Sequence, residues 1–168
     1  AVVLPCLGAP VIALMGRHPN GREAVTLITG GTLFYVVLSL VPDVFSGVRP
    51  EIQVWEILPG LALAFKVEPL GMIFALVASS LWIITSIYSI GYMRGHQEGH
   101  QTRFYFFFAV ALTAAIGISF ARNMFTLFIF YEILTLSTYP LVTHHRTEEA
   151  MRGGRIYIGI LLSTSIGF

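Results

Sequence analysis

The sequence is poor in charge and nearly empty of cysteine and lysine. Only 11% of its 168 residues are charged, against about 25% in ordinary soluble domains. A chain this short exposes much of its surface even when folded, so a large core does not account for the deficit. The single cysteine, Cys6, excludes an intrachain disulfide and a cysteine-ligated iron–sulfur cluster held by this chain alone. The single lysine, Lys66, falls between apolar runs, not within one. A formal net charge of +1 gives no basic surface for nucleic acid. The sequence has no GxGxxG, no phosphate-binding GxxxxGK[ST] and no HExxH, so neither a nucleotide cofactor nor a metallohydrolase site is expected.

What is present is apolar, 55% of the chain, and clustered. Six apolar runs stand out, at residues 1–15, 24–41, 70–93, 104–121, 123–142 and 156–168. Long uncharged runs alternating with short charged ones are the pattern of membrane spans and loops. Helix is the expected state, because open strands leave their backbone unsatisfied in lipid. A transmembrane barrel needs alternating segments of about ten residues, and residues 104–115 and 124–131 do not alternate. The expected fold is therefore all-α: one transmembrane domain over residues 1–168, a bundle of about six spans. The first run has no basic residue before it and is read as a span, not a signal peptide. The last run stops at Phe168, short of the roughly 20 residues that cross a bilayer. The chain thus reads as a piece of a larger protein.

Between the second and third runs lies a different stretch, residues 42–69. It carries Pro42, Pro50, Pro59 and Pro69, charges at Asp43, Arg49, Glu51, Glu56, Lys66 and Glu68, and only short apolar pieces at 52–58 and 61–67. Pro59-Gly60 between those pieces is a turn signal. Two short strands in a hairpin outside the bilayer are expected; an interfacial helix near 53–58 is the alternative. The fourth and fifth runs are joined by Arg122-Asn123 alone, which makes them antiparallel neighbours. Positive charge favours the cytoplasmic side. The odd loops hold Arg17, Arg22, Arg94, Arg103, Arg146, Arg152 and Arg155, and the even ones hold Arg49, Lys66 and Arg122. The odd loops are then cytoplasmic, and the N-terminus and residues 42–69 lie outside.

One ionisable residue falls deep within a run. Glu132 lies nine residues past Asn123, roughly 13–14 Å in at 1.5 Å per residue, near the midplane of a core of about 30 Å. A carboxylate there costs at least about 2.5–3.5 kcal/mol and normally faces a water-filled cavity or a partner. Thr135 and Tyr139, at i+3 and i+7, share its helical face. Pro140 has no N–H and frees the Leu136 carbonyl. Glu132 is the candidate proton-relay residue, with Thr135 and Tyr139 as supporting polar groups. The competing role for Glu132 is pairing with a polar residue to orient two helices. His96, Glu98 and His100 resemble a metal cluster, but they sit in a Gly- and Gln-rich loop without four fixed ligands, and no metal site is expected. His144-His145 are read as interfacial residues ending the fifth run. Gly30-Gly31 are read as allowing close helix packing.

The stretch 122–142, RNMFTLFIFYEILTLSTYPLV, resembles the fifth span of the proton-conducting membrane transporter family. That family includes the large antiporter-like subunits of complex I, of Mrp-type cation/proton antiporters and of membrane-bound hydrogenases. The segment Ser89-Ile-Gly91-Tyr92-Met93 and residues 153–167 resemble it as well. The likeness implies a bundle of about fourteen helices, of which six begin here, and an outside N-terminus. It matches Glu132 to the family's essential glutamate, whose partner is a lysine on a later helix that this chain lacks. It implies other membrane subunits as partners, protons as the conducted ion with Na+ as a second candidate, and the bacterial inner membrane as location. An Mrp-type, D-like subunit is the favoured member. A complex I or hydrogenase subunit is the alternative, and a non-conducting structural subunit is the alternative of another class. No cofactor and no catalytic site are expected within the chain; in complex I it would be a subunit of a translocating oxidoreductase.

Overall fold

The computed structural model describes residues 1–58, 61–144 and 147–167. The expected Pro59-Gly60 turn, His145 and Arg146 lie outside the described residues. Seven α-helices and one two-stranded hairpin follow in chain order. They are α1 (Val3–Leu14), α2 (Pro19–Ser39), α3 (Val41–Phe45), β1 (Glu51–Leu58), β2 (Leu61–Lys66), α4 (Pro69–Gly95), α5 (Gln101–Ser119), α6 (Met124–Val142) and α7 (Glu148–Gly167). A 3₁₀ turn, Met15–Arg17, closes α1.

Four helical segments among the described residues are long and apolar enough to cross a membrane: Pro19–Phe45, Pro69–Gly95, Gln101–Ser119 and Met124–Val142. They correspond to the second to fifth runs. The first run is shorter in the structure, since α1 has 12 residues. The sixth run is the second half of α7, which starts eight residues earlier, at Glu148. Arg152 and Arg155 are therefore helical, not loop residues.

Helix starts follow local chemistry. Pro19 and Pro69 stand in the first turns of α2 and α4, where the missing N–H has no intrahelical role. Asn123 caps α6 by accepting from the Thr126 amide at 2.8 Å. α5 is the central helix: it packs against α1, α4 and α6. Small buried residues on α5, Ala109, Ala114 and Gly117, permit that approach. Gly117 is a tight point of the α5–α6 contact, because an added Cβ would clash with the edge of the Phe130 ring on α6. Replacing Gly117 with valine is expected to push α5 and α6 apart at a cost of roughly 1–3 kcal/mol. The check is thermal melting of the purified protein in detergent; Phe130→Ala in the same chain should recover part of the loss.

The hairpin is present, and the interfacial helix considered near residues 53–58 is not. β1 and β2 pair antiparallel, with Glu51 opposite Lys66 and Trp55 opposite Leu63. β2 is the inner strand. Its backbone bonds across the α5–α6 connection, Lys66 N–H to the Phe120 carbonyl at 2.8 Å and Arg122 N–H to the Ala64 carbonyl at 3.0 Å. Asn123 adds a bond from its amide to the Ala62 carbonyl at 2.8 Å. Thr126 accepts from the Ala64 amide at 3.0 Å. Phe65 meets Phe130 edge-on. The hairpin thus ties the start of α6 to the segment leading into α4. β1 is the outer strand, with Ile52, Val54, Trp55 and Ile57 exposed.

Candidate functional site

Glu132 is the ninth residue of the 19-residue α6, roughly 12 Å from its start. Its side chain is half-buried. One carboxylate oxygen, Oε1, is buried and has no hydrogen-bond partner among the described residues. The rest of the polar run is satisfied largely within its own helix. Ser137 and Thr138 donate to the Leu134 and Thr135 carbonyls, each at 2.8 Å. Such back-bonding lets hydroxyls sit in an apolar setting. Glu132 has no comparable outlet, because a carboxylate has no hydrogen to give a carbonyl.

Thr135 is buried and Tyr139 half-buried. No hydrogen bond joins either to Glu132 among the described residues. Tyr139 instead lines a cleft of about 690 Å³ between α5, α6 and α7, with Arg103, Phe107, Pro140, Thr143 and Met151. Arg103 donates to the Pro140 carbonyl at 3.1 Å. It thus places a cation on the negative end of α6. α7 closes on this end through Gly154, whose missing Cβ leaves room for Tyr139 and Thr143. Sequence reasoning placed Tyr139 on the Glu132 face but took Arg103 for a loop charge. The helical position of Arg103, in the first turn of α5, gives the cleft its cation.

A second ionic group was missed. Glu23, on α2, is buried, with its side chain only 7% exposed. It accepts from Arg94 of α4, including Nε to Oε1 at 3.0 Å, and lies 3.5 Å from the buried Arg22. Arg22 also donates to Thr102 at 3.0 Å and Gln101 at 2.7 Å on α5 and lies over the Tyr105 ring. Glu132 is therefore not the only carboxylate inside the bundle, but unlike Glu23 it has no cationic partner among the described residues. Lys66, the only lysine, lies on β2 and bonds Glu68 at 2.9 Å. That bond holds the Glu68 carboxyl below the usual carboxylate range.

The described residues thus define a membrane-spanning helix bundle with a carboxylate, unpartnered at Oε1, halfway along one helix. Residues 60–105 match the family described as NADH-Ubiquinone oxidoreductase (complex I), chain 5 N-terminus. The match falls on β2, α4 and the start of α5, not on the stretch around Glu132. The Na(+)/H(+) antiporter subunit A1 of Staphylococcus aureus is 25% identical over 155 residues, 89% of this chain and 19% of that protein. The chain thus spans about a fifth of the length of the curated relatives it matches. Two solved structures share the fold at 19% identity and a TM-score of 0.80. The first is the archaeal membrane-bound sulfane sulfur reductase, with 94% of this chain and 32% of that chain covered. The second is the Mrp complex from Dietzia sp. DQ12-45-1b, with 98% and 31% covered. The chain is thus similar in part to chain 5 of complex I and to an Na(+)/H(+) antiporter subunit, and it shares its fold with chains of two membrane complexes.

Proposed function

We propose that this chain is part of a proton-conducting antiporter-like subunit of a multisubunit membrane complex, with Glu132 holding protons in mid-membrane. The observation that carries the reading is the buried, unpartnered Oε1 of Glu132 halfway along α6. A carboxylate kept there at a cost of several kcal/mol is retained for its proton chemistry, not for stability. Thr135 and Tyr139 support it as polar groups leading toward the Arg103 cleft. By the family resemblance, the basic partner is a lysine contributed from outside these residues; Lys66 lies on β2 and pairs with Glu68. The test is proton flux or antiport in vesicles carrying the full-length protein, with and without Glu132→Gln. Survival of transport would leave the non-conducting structural subunit as the reading.

Among antiporters, the D-like form expected from the polar run at 135–141 and an A-type form both fit this site. The likeness to subunit A1 over 155 residues favours the A-type. Other membrane subunits are the proposed partners, protons and Na+ the proposed ions, and the bacterial inner membrane the proposed location.

The proposed orientation places the N-terminus and hairpin outside. The hairpin and the α4–α5 turn lie at opposite ends of α4, about 40 Å apart at 1.5 Å per residue. In a Cys6→Ser background, cysteine at Gln53 on β1 should react with an impermeant thiol reagent added outside. Cysteine at Gln97 in the turn should react only after the membrane is opened. Gln97 labelling from outside would invert the orientation.

A further inference from the structure

We propose that the seam between α2, α4 and α5 is a buried water-binding site running from the Glu23 cluster to Trp82 in the middle of α4. Polar residues recur along the seam. Ser79, Trp82, Ser86 and Ser89 lie on the buried face of α4. Glu23, Thr26 and Gly30 lie on the buried face of α2. Two contacts fix the register of these antiparallel helices. Gly30 abuts Trp82 and Ile83, where a Cβ would stand 3.5 Å and 3.3 Å from their nearest atoms. Seven residues earlier, Glu23 binds Arg94. Thr26 then falls between, at the level of Ser86 and Ser89.

Four polar atoms in this region are buried without a hydrogen-bond partner among the described residues: Trp82 Nε1, Ser86 Oγ, Tyr105 Oη and Arg22 Nε. Their side chains are nearly completely enclosed, Tyr105 at 0%, Ser86 at 1%, Trp82 at 2% and Arg22 at 4% exposure. A buried serine in a helix ordinarily donates to the carbonyl one turn back, as Ser79 does to Ala75 at 2.7 Å. Ser86 does not. All four atoms can donate, and the Trp and Arg nitrogens can do nothing else. What satisfies them is a small acceptor that can pass hydrogens on to the serine, the tyrosine or Glu23. Water has that chemistry and needs two to four such partners.

The experiment is radiolytic hydroxyl-radical footprinting of the full-length protein in its native complex. Bound water is itself the radical source, so buried residues beside it are oxidised. The chain holds two tryptophans; Trp55 is 68% exposed and serves as the reference. Leu33, one turn beyond Gly30 on α2 and 0% exposed, is the dry control. Trp82 should be oxidised within about ten-fold of the Trp55 rate, because an ordered water lies against it, while Leu33 stays unmodified. Ser86→Val removes one partner of the water and fills its space, and should lower Trp82 labelling several-fold while leaving Trp55 unchanged. Trp82 as unmodified as Leu33, or labelling insensitive to Ser86→Val, overturns the proposal.

Discussion

Replacing Glu132 with glutamine in the full-length protein is expected to abolish proton-coupled transport and leave assembly near normal. Glutamine keeps the length of the side chain and most of its hydrogen bonding but cannot ionise. If Glu132 served only to orient helices, glutamine would serve about as well and transport would survive. Positioned acid–base groups contribute about 10²–10⁴-fold, so flux should fall at least about 100-fold. Glu132→Asp keeps the charge but withdraws it by one methylene. Relay steps need hydrogen-bond reach of about 3 Å, so partial flux is expected. The measurement is proton flux in vesicles, with assembly checked on the same membranes. A fully active Glu132→Gln protein would sink the relay reading.

The sequence made several elements legible for identifiable reasons. The run that forms α4 carries no charge between Gly71 and Met93, so its length alone declared it. The two-residue link at Arg122-Asn123 forced α5 and α6 together, and they pack along their length. The strands were only half readable, because short apolar pieces with Pro-Gly between them left a hairpin and an interfacial helix equally open. Docking of the hairpin was not readable. It uses backbone carbonyls of Ala62, Ala64 and Phe120, and carbonyls are the same at every residue. The second role of Asn123, donating to Ala62 while capping α6, is likewise invisible in a cap signal. The start of α7 was missed because apolarity was followed instead of capping. Thr147 accepts from the Ala150 amide, and Glu148-Glu149 fill the first turn, where acidic residues favour the helix dipole. Glu23 was missed because charges at the end of an apolar run were assigned to loops. A glutamate beside Arg22, with Arg94 at the end of the helix that returns alongside, was the available signal.

Replacing Glu23 with alanine is expected to destabilise the protein strongly while sparing the chemistry at Glu132. Glu23 lies between Arg94 and Arg22, and its side chain is 7% exposed. The two arginines respond differently to its loss. Arg94 is half exposed and turns to solvent. Arg22 is buried, with its side chain 5% exposed, and stays against the Tyr105 ring. Its remaining partners are the neutral oxygens of Thr102 and Gln101, which satisfy two donors without compensating the charge. Removing one member of a buried ion pair costs about 3–5 kcal/mol. The retained hydrogen bonds place this case near about 3 kcal/mol, a fall of roughly 10 °C in Tm for a domain of this size. Arg22→Met with Glu23→Ala removes the stranded charge at similar volume, and should recover most of the loss, as apolar replacement of buried ionic groups often does. Arg94→Ala alone should cost less than Glu23→Ala, since Arg22 still balances Glu23. Thermal melting of the detergent-solubilised protein ranks the three variants. Transport per assembled molecule should stay near wild type in each, because the hydrogen bonds and ion pairs of the cluster among the described residues join α2, α4 and α5. An equal loss in Glu23→Ala and in the double variant would show that the carboxylate stabilises through its own hydrogen bonds and not by balancing Arg22.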